Sequence, residues 1–147
     1  MIRELRPEDR ELYLKMAHDF YHSAAVLHPI PDSYLELTFE ECMRGGVYAK
    51  LYVLEWQGEL AGYGLISKTF SQEAGGYVCW LEELYIMEKY RGKGLGSEFF
   101  EYLEENLEEG VKRFRLEVEE DNFRARQLYE RLGYKNMNYY QMVKEMQ

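Results

Sequence analysis

The stretch Glu88–Phe100, EKYRGKGLGSEFF, sets three glycines and three basic residues immediately ahead of an apolar, Glu-rich run. A helix begins with four N–H groups that lack intrahelical partners and with the positive end of its dipole, and glycine lets backbone approach an anion that any Cβ would hold off. Arg91-Gly92-Lys93-Gly94-Leu95-Gly96 therefore reads as an anion cradle between a strand and a helix, with Arg91 and Lys93 adding charge. The plainer reading is a tight strand-to-helix turn with solvated bases. Two familiar phosphate loops fail on spacing. No Gly-Lys-Ser/Thr follows, as a P-loop requires, and the glycines run G-x-G-x-G instead of G-x-G-x-x-G.

Ahead of the elbow, Tyr77–Met87, YVCWLEELYIM, is apolar on both parities, the pattern of a central strand covered on both faces. Glu82 and Glu83 interrupt it, and strict alternation points them to opposite faces unless a bulge turns the chain. Further upstream, VYAKLYVLEW and ELAGYGLIS flank Gln57-Gly58 as an antiparallel hairpin, followed by KTFSQEAGG as a mobile loop. The amino-terminal part reads as a short strand, MIREL, then a helix from Pro7 to about Phe20. A loop containing Pro29 and Pro31 leads to a second helix, started by a capping box at Thr38 and ended by Gly45-Gly46.

Behind the elbow, Phe99, Leu103 and Leu107 fall at i, i+4, i+8 on a helix that Gly110 terminates. VKRFRLEVEE then alternates as a strand, with Glu117 on its polar face. Asp121 or Asn122 can cap a last helix whose stripe is Ala125, Leu128, Tyr129 and Leu132, closed by Gly133. YKNMNYYQMVKEM reads as a final strand or strand pair. The expectation is one α/β (α+β mixed) domain over residues 1–147, with a central mixed six- to seven-stranded sheet and helices on both faces.

A formal charge of −9 argues against nucleic acid as the main partner and would draw cations such as amines, although solubility alone explains it as well. Cys42 and Cys79 stand far apart without a ligand partner at metal spacing, so no metal site and no disulfide framework is expected, and a reducing cytoplasm suits them. No run approaches the roughly 20 apolar residues that span a bilayer, so no membrane partner is expected.

With these motifs in place the chain resembles the GNAT superfamily of acetyl-CoA-dependent N-acetyltransferases. Its pyrophosphate loop, [QR]-x-x-G-x-[GA], is matched at every fixed position by Arg91 to Gly96; LEELYIMEKY is similar to the family's fourth strand, and EVEEDNFRARQLYERLGY to its fifth strand and following helix. The resemblance runs from about Leu60 to Tyr134. It implies acetyl-CoA as acetyl donor, with pantetheine paired to the backbone of Leu84, Tyr85 and Ile86. The pyrophosphate would be held by Arg91, Gly92, Lys93, Gly94, Leu95, Gly96 and Ser97, with Asn122 and Ala125 completing the coenzyme site.

Acetyl transfer to an amine needs a base, stabilisation of the oxyanion and a proton for the leaving thiolate. Tyr129, which by pattern alone reads as core, matches the family's usual general acid; Glu82, Glu83 and Glu117 are rival bases, each with a salt bridge as its plain alternative. Tyr21, His28 and Tyr34 are candidate substrate contacts, beside His22, Phe39, Tyr139 and Tyr140. The implied acceptor is a primary amine of a small cationic metabolite or antibiotic. Peptide N-terminal or lysine acetylation, a non-catalytic acyl-CoA sensor and a nucleotide-binding protein are the alternatives, and a homodimer is the assembly to test.

Overall fold

The computed structural model of the chain describes residues 1–146, which form two compact units, one spanning Met1–Leu116 and one starting at Glu117. The first unit carries a five-stranded sheet in the order β1-β2-β3-β4-β5, formed by Ile2–Glu4, Ala49–Trp56, Glu59–Ser71, Gly76–Ile86 and Val111–Leu116. Successive pairs are antiparallel except β4 with β5, which is parallel and reached through helix α3, Leu95–Glu105. Helices α1, Arg10–Tyr21, and α2, Asp32–Met43, complete this unit. The second unit contains α4, Phe123–Arg131.

The mixed α/β architecture agrees with the expectation, while the sheet has five strands instead of six or seven. Residues 135–146 form no strand. Two adjacent apolar pairs there, Tyr139-Tyr140 and Met142-Val143, break period two, and all four residues are largely exposed. The KTFSQEAGG loop is also corrected. β3 continues to Ser71 and pairs with the start of β4, because Phe70 meets Tyr77 edge-on across the ladder at 5.5 Å, leaving only a short turn that ends at Gly75. The hairpin turn at Gln57-Gly58 stands as read, with positive φ at both residues.

Helix boundaries shift for local reasons. Pro7–Asp9 is a 3-10 turn ahead of α1. α2 starts at Asp32, directly after Pro31; Thr38 lies inside it, donating its hydroxyl back to the Tyr34 carbonyl at 2.9 Å instead of capping. α3 stops at Glu105 because Asn106 turns its side-chain amide onto the Tyr102 carbonyl, and Leu107 lies outside the helix, half exposed. β5 ends at Leu116, so Glu117 follows the strand instead of lying on it.

The two sheet faces bury different sets. On one, Tyr13, Met16, Leu35 and Phe39 of α1 and α2 close over Leu51, Val53, Tyr63 and Leu65. Phe39 belongs to this core, stacked on Tyr13, and not to a substrate pocket. On the other, Phe99 of α3 packs beside Tyr52 and so close to Gly64 that a Cβ there would meet the Phe99 ring at 2.3 Å. Glycine at position 64 sets how near α3 can lie to the strand that flanks β4.

Arg3 ties β1 to the turn before α1. It donates to both oxygens of buried Asp9, at 2.9 and 3.0 Å, and to Glu55 on β2 at 2.6 Å. Burial opposes ionisation of Asp9, but the Arg3 guanidinium and the Arg6 amide outweigh it and hold the carboxyl below its ordinary value. Asp9→Asn leaves Arg3 short of a buried partner and is expected to cost about 3 kcal/mol, measured by urea unfolding at pH 7. Because the folded-state pKa is depressed, this contribution is present above the unfolded value of about 4 and is lost as pH falls through the lower folded value. The gap between wild type and variant should therefore narrow only in acid.

Candidate active site

β5 pairs with β4 only from Tyr77 to Leu81, yet β4 runs on to Ile86, so the β5-side edge of Glu82–Ile86 has no strand partner among the described residues. Backbone groups on such an edge are available to an extended ligand. Leu84, Tyr85 and Ile86, the residues expected to meet pantetheine, lie on this segment.

The elbow follows directly. Gly92 and Gly94 both adopt left-handed backbone, φ +77° and +81°, which side chains with a Cβ rarely take. Gly94 caps α3, and Glu98 is the first amide of the helix to bond back, onto the Gly94 carbonyl at 3.0 Å. Among the described residues the amides of Gly92 to Ser97 make no backbone hydrogen bond, so a row of donors lies at a helix start beside Arg91 and Lys93. Arg91 donates from Nε to the Ile86 carbonyl at 2.8 Å and lies over the Tyr85 ring, which fixes the elbow to the end of β4. Lys93 rests over Trp56 at 5.3 Å. Tyr90, buried, anchors the turn through its hydroxyl to Glu59. These residues fit an extended anionic ligand carrying a pyrophosphate.

The expectation that Glu82 and Glu83 face opposite ways is overturned by a bulge. Leu65 pairs with Glu83 and Ile66 with Leu81, so Glu82 is the extra residue. Tyr63, Leu65 and Ser67 share the α1 face of β3 by alternation, and both carboxylates reach that set: Glu82 accepts from Ser67 Oγ at 2.5 Å, and Glu83 Oε1 accepts from Tyr63 at 2.8 Å. Glu83 Oε2 accepts from Tyr21, the last residue of α1, at 2.5 Å.

The two acids differ in environment. Glu82 is exposed, whereas Glu83 is half-buried among Tyr13, Tyr21, Tyr63 and Tyr85. Burial raises the Glu83 pKa above the ordinary value, the two tyrosine hydroxyls pull it back, and the Glu82 charge raises it further, for a net upward shift. Burial and the same carboxylate keep Tyr21 and Tyr63 protonated. Tyr63 is absent from the sequence reading. Its signal is an aromatic between two close-approach glycines, Gly62 and Gly64, on the parity of Glu83.

The second unit is built locally. Asn122 caps α4 as expected, its Oδ1 accepting from the Ala125 amide at 3.2 Å, so its Nδ2 is the atom left to donate to a ligand. Tyr129 is half-buried, its ring edge-on to Tyr134, and burial raises its pKa. Glu117 is exposed. Of the candidate substrate contacts, Tyr21 reaches Glu83, while His28 and Tyr34 are exposed. His22 stacks on His18 at 4.0 Å and bonds its carbonyl. Tyr139 and Tyr140 are exposed.

Among the described residues no cluster of metal-ligating side chains occurs, and no helix is long and apolar enough to cross a membrane. A cavity of about 490 Å³ opens toward the other end of the strands, between Lys50, Tyr52, Lys68, Cys79, Leu103 and Phe114. Its two lysines are already paired, with Glu4 and Glu108.

Residues 10–134 match the model of the Acetyltransferase (GNAT) family. The chain is similar to the spermine/spermidine N(1)-acetyltransferase of Bacillus subtilis (strain 168), 36% identical over an alignment of 110 positions, which covers 69% of this chain and 71% of that protein. It is similar to the thialysine N-epsilon-acetyltransferase of Mus musculus, 34% identical over 135 residues, 90% of this chain and 74% of that one. Its fold is shared with a crystal structure of a possible acetyltransferase from Clostridium difficile 630, at TM-score 0.86 and 21% identity, covering 99% and 97% of the two chains. The unpaired β4 edge, the glycine elbow and these likenesses agree: the chain belongs to the GNAT family and is an acetyltransferase.

Proposed function

We propose that this acetyltransferase moves an acetyl group from acetyl-CoA to a primary amine of a small cationic metabolite, by direct attack of the amine in a ternary complex. The observation that carries the reading is the Glu82–Glu83 pair, brought to one face of β4 by the bulge and adjoining the free β4 edge. Paired carboxylates favour an ammonium, and in a chain of net charge −9 the wider field favours it too. The relatives named for spermine, spermidine and thialysine support acceptors that carry a primary amine beside further positive charge.

Acetyl-CoA supplies the activated acyl group when bound. Backbone of Leu84 to Ile86 would orient its pantetheine arm and the Gly92–Ser97 amides its pyrophosphate, with Arg91 and Lys93 adding charge. Glu83 takes the proton from the ammonium, a task its raised pKa suits. Glu82, exposed, draws the cation in. Tyr129, which burial keeps protonated, donates to the departing sulfur, with Asn122 as a coenzyme contact.

Coenzyme A at 100 times its dissociation constant should stabilise the protein by about 2.7 kcal/mol, seen as a rise in Tm, whereas ATP and NAD should leave Tm unchanged. Protection by ATP or NAD alone would favour a nucleotide-binding protein. Double-reciprocal plots at varied amine and acetyl-CoA should intersect. Parallel lines would instead show a covalent acyl-enzyme and contradict direct attack.

A further inference from the structure

The Tyr63 hydroxyl has no role in the coenzyme site, yet it is the most deeply buried polar group that touches Glu83. Tyr63 lies in the middle of β3 with no exposed surface, its ring edge-on to Tyr13 at 5.1 Å and 5.9 Å from Tyr85. The ring is packed between Tyr13 and Tyr85, which limits its freedom to turn, and its hydroxyl meets Glu83 Oε1 at 2.8 Å. Tyr21 differs. It ends α1, is partly exposed, and precedes a stretch of exposed residues from 22 to 25.

Glu83 therefore has one donor fixed in the core and one at the protein surface, one for each oxygen. Each carboxylate oxygen has a second lone pair, so Oε2, on the partly exposed Tyr21 side, can accept from an incoming amine. A phenol that cannot ionise can only donate to a carboxylate, and so favours its charged form.

We propose that Tyr63 is a positioning residue for Glu83: its hydroxyl holds Oε1, keeps the carboxylate ionised within an aromatic cluster, and turns Oε2 toward the acceptor amine. This rests on the reading of Glu83 as the base. Tyr21 is the second donor, on the oxygen the amine shares. The other titratable groups facing Glu83 are Tyr13 of α1 and Glu82 and Tyr85 of β4; Cys42 of α2 reaches it only through Tyr13. None of these is a cation, so the two hydroxyls are the groups that oppose protonation.

Tyr63→Phe removes the hydroxyl and keeps the ring. Two readouts follow it. The first is the 13C resonance of the Glu83 carboxyl in the protein without substrates, identified by its loss in Glu83→Gln, and expected to titrate about one pH unit higher in the variant. The second is the acid limb of kcat/KM, which should move up by the same amount because the base must be ionised. If Tyr63 serves packing alone, Tyr63→Phe, which keeps the ring, leaves both titrations in place whatever it does to Tm, and that result overturns the proposal. Should Tyr63→Phe fail to fold, Tyr21→Phe tests the same donor principle from the partly exposed side, with the same upward shift expected and an unmoved titration contradicting it. Full activity in Glu83→Gln would instead sink the reading of Glu83 as base, a failure visible separately from the carboxyl titration.

Discussion

Glu83→Gln is expected to lower kcat by roughly 10²- to 10⁴-fold, the range general-base catalysis supplies, while binding of coenzyme A is retained. The same substitution should not destabilise the fold. Glu83 has its folded-state pKa raised, so the native state holds the proton more tightly than the unfolded chain, and its contribution to stability declines as pH rises between the unfolded and folded values. A neutral carboxamide keeps one oxygen to accept from one of the two tyrosines, its NH2 can donate to the hydroxyl oxygen of the other, and it removes the charge that burial disfavours. Tm at pH 8 should therefore be equal or higher in the variant. Loss of activity together with a lower Tm would point to a structural role, and unchanged activity would move the base to Glu82 or Glu117. Glu82→Gln, on an exposed side chain, should chiefly raise KM for the amine.

Tyr129→Phe carries the second large expectation, a fall in kcat of about 10²-fold or more with the coenzyme-induced rise in Tm unchanged. The phenol is half-buried and its pKa is raised, so it is protonated throughout the working range and suited to give a proton to a thiolate. A protein that senses acyl-CoA without chemistry would have no turnover for this substitution to remove. Equal rates in wild type and variant, measured in the same amine, would assign Tyr129 to packing against Tyr134.

The elbow was the most legible feature of the chain, because glycine spacing, flanking bases and a following apolar stripe all concern neighbouring residues. Gly92 and Gly94 take the left-handed backbone that such a turn demands, and Asn122 caps α4 as its position implies. What escaped a linear reading depends on residues far apart in sequence. The bulge at Glu82 exists only against Leu65 and Ile66, and without it Glu82 and Glu83 would part to opposite faces. Tyr63 lies 20 positions from Glu83, and Tyr21 lies 62. The Thr38 capping pattern failed because Pro31 and Asp32 offered an earlier start, a competition that local motifs cannot rank. The final strand failed for a related reason, since a strand needs a ladder partner and none forms with residues 135–146 among the described residues.

Continuous measurement of free thiol with acetyl-CoA, spermidine and a trace of enzyme tests the central claim most directly. The account predicts many turnovers per enzyme molecule, dependent on the amine, with a rate that falls below the Glu83 pKa and collapses in Glu83→Gln. Thiol release that is absent with spermidine, thialysine and other small cationic amines, in a protein that still binds coenzyme A, would contradict it.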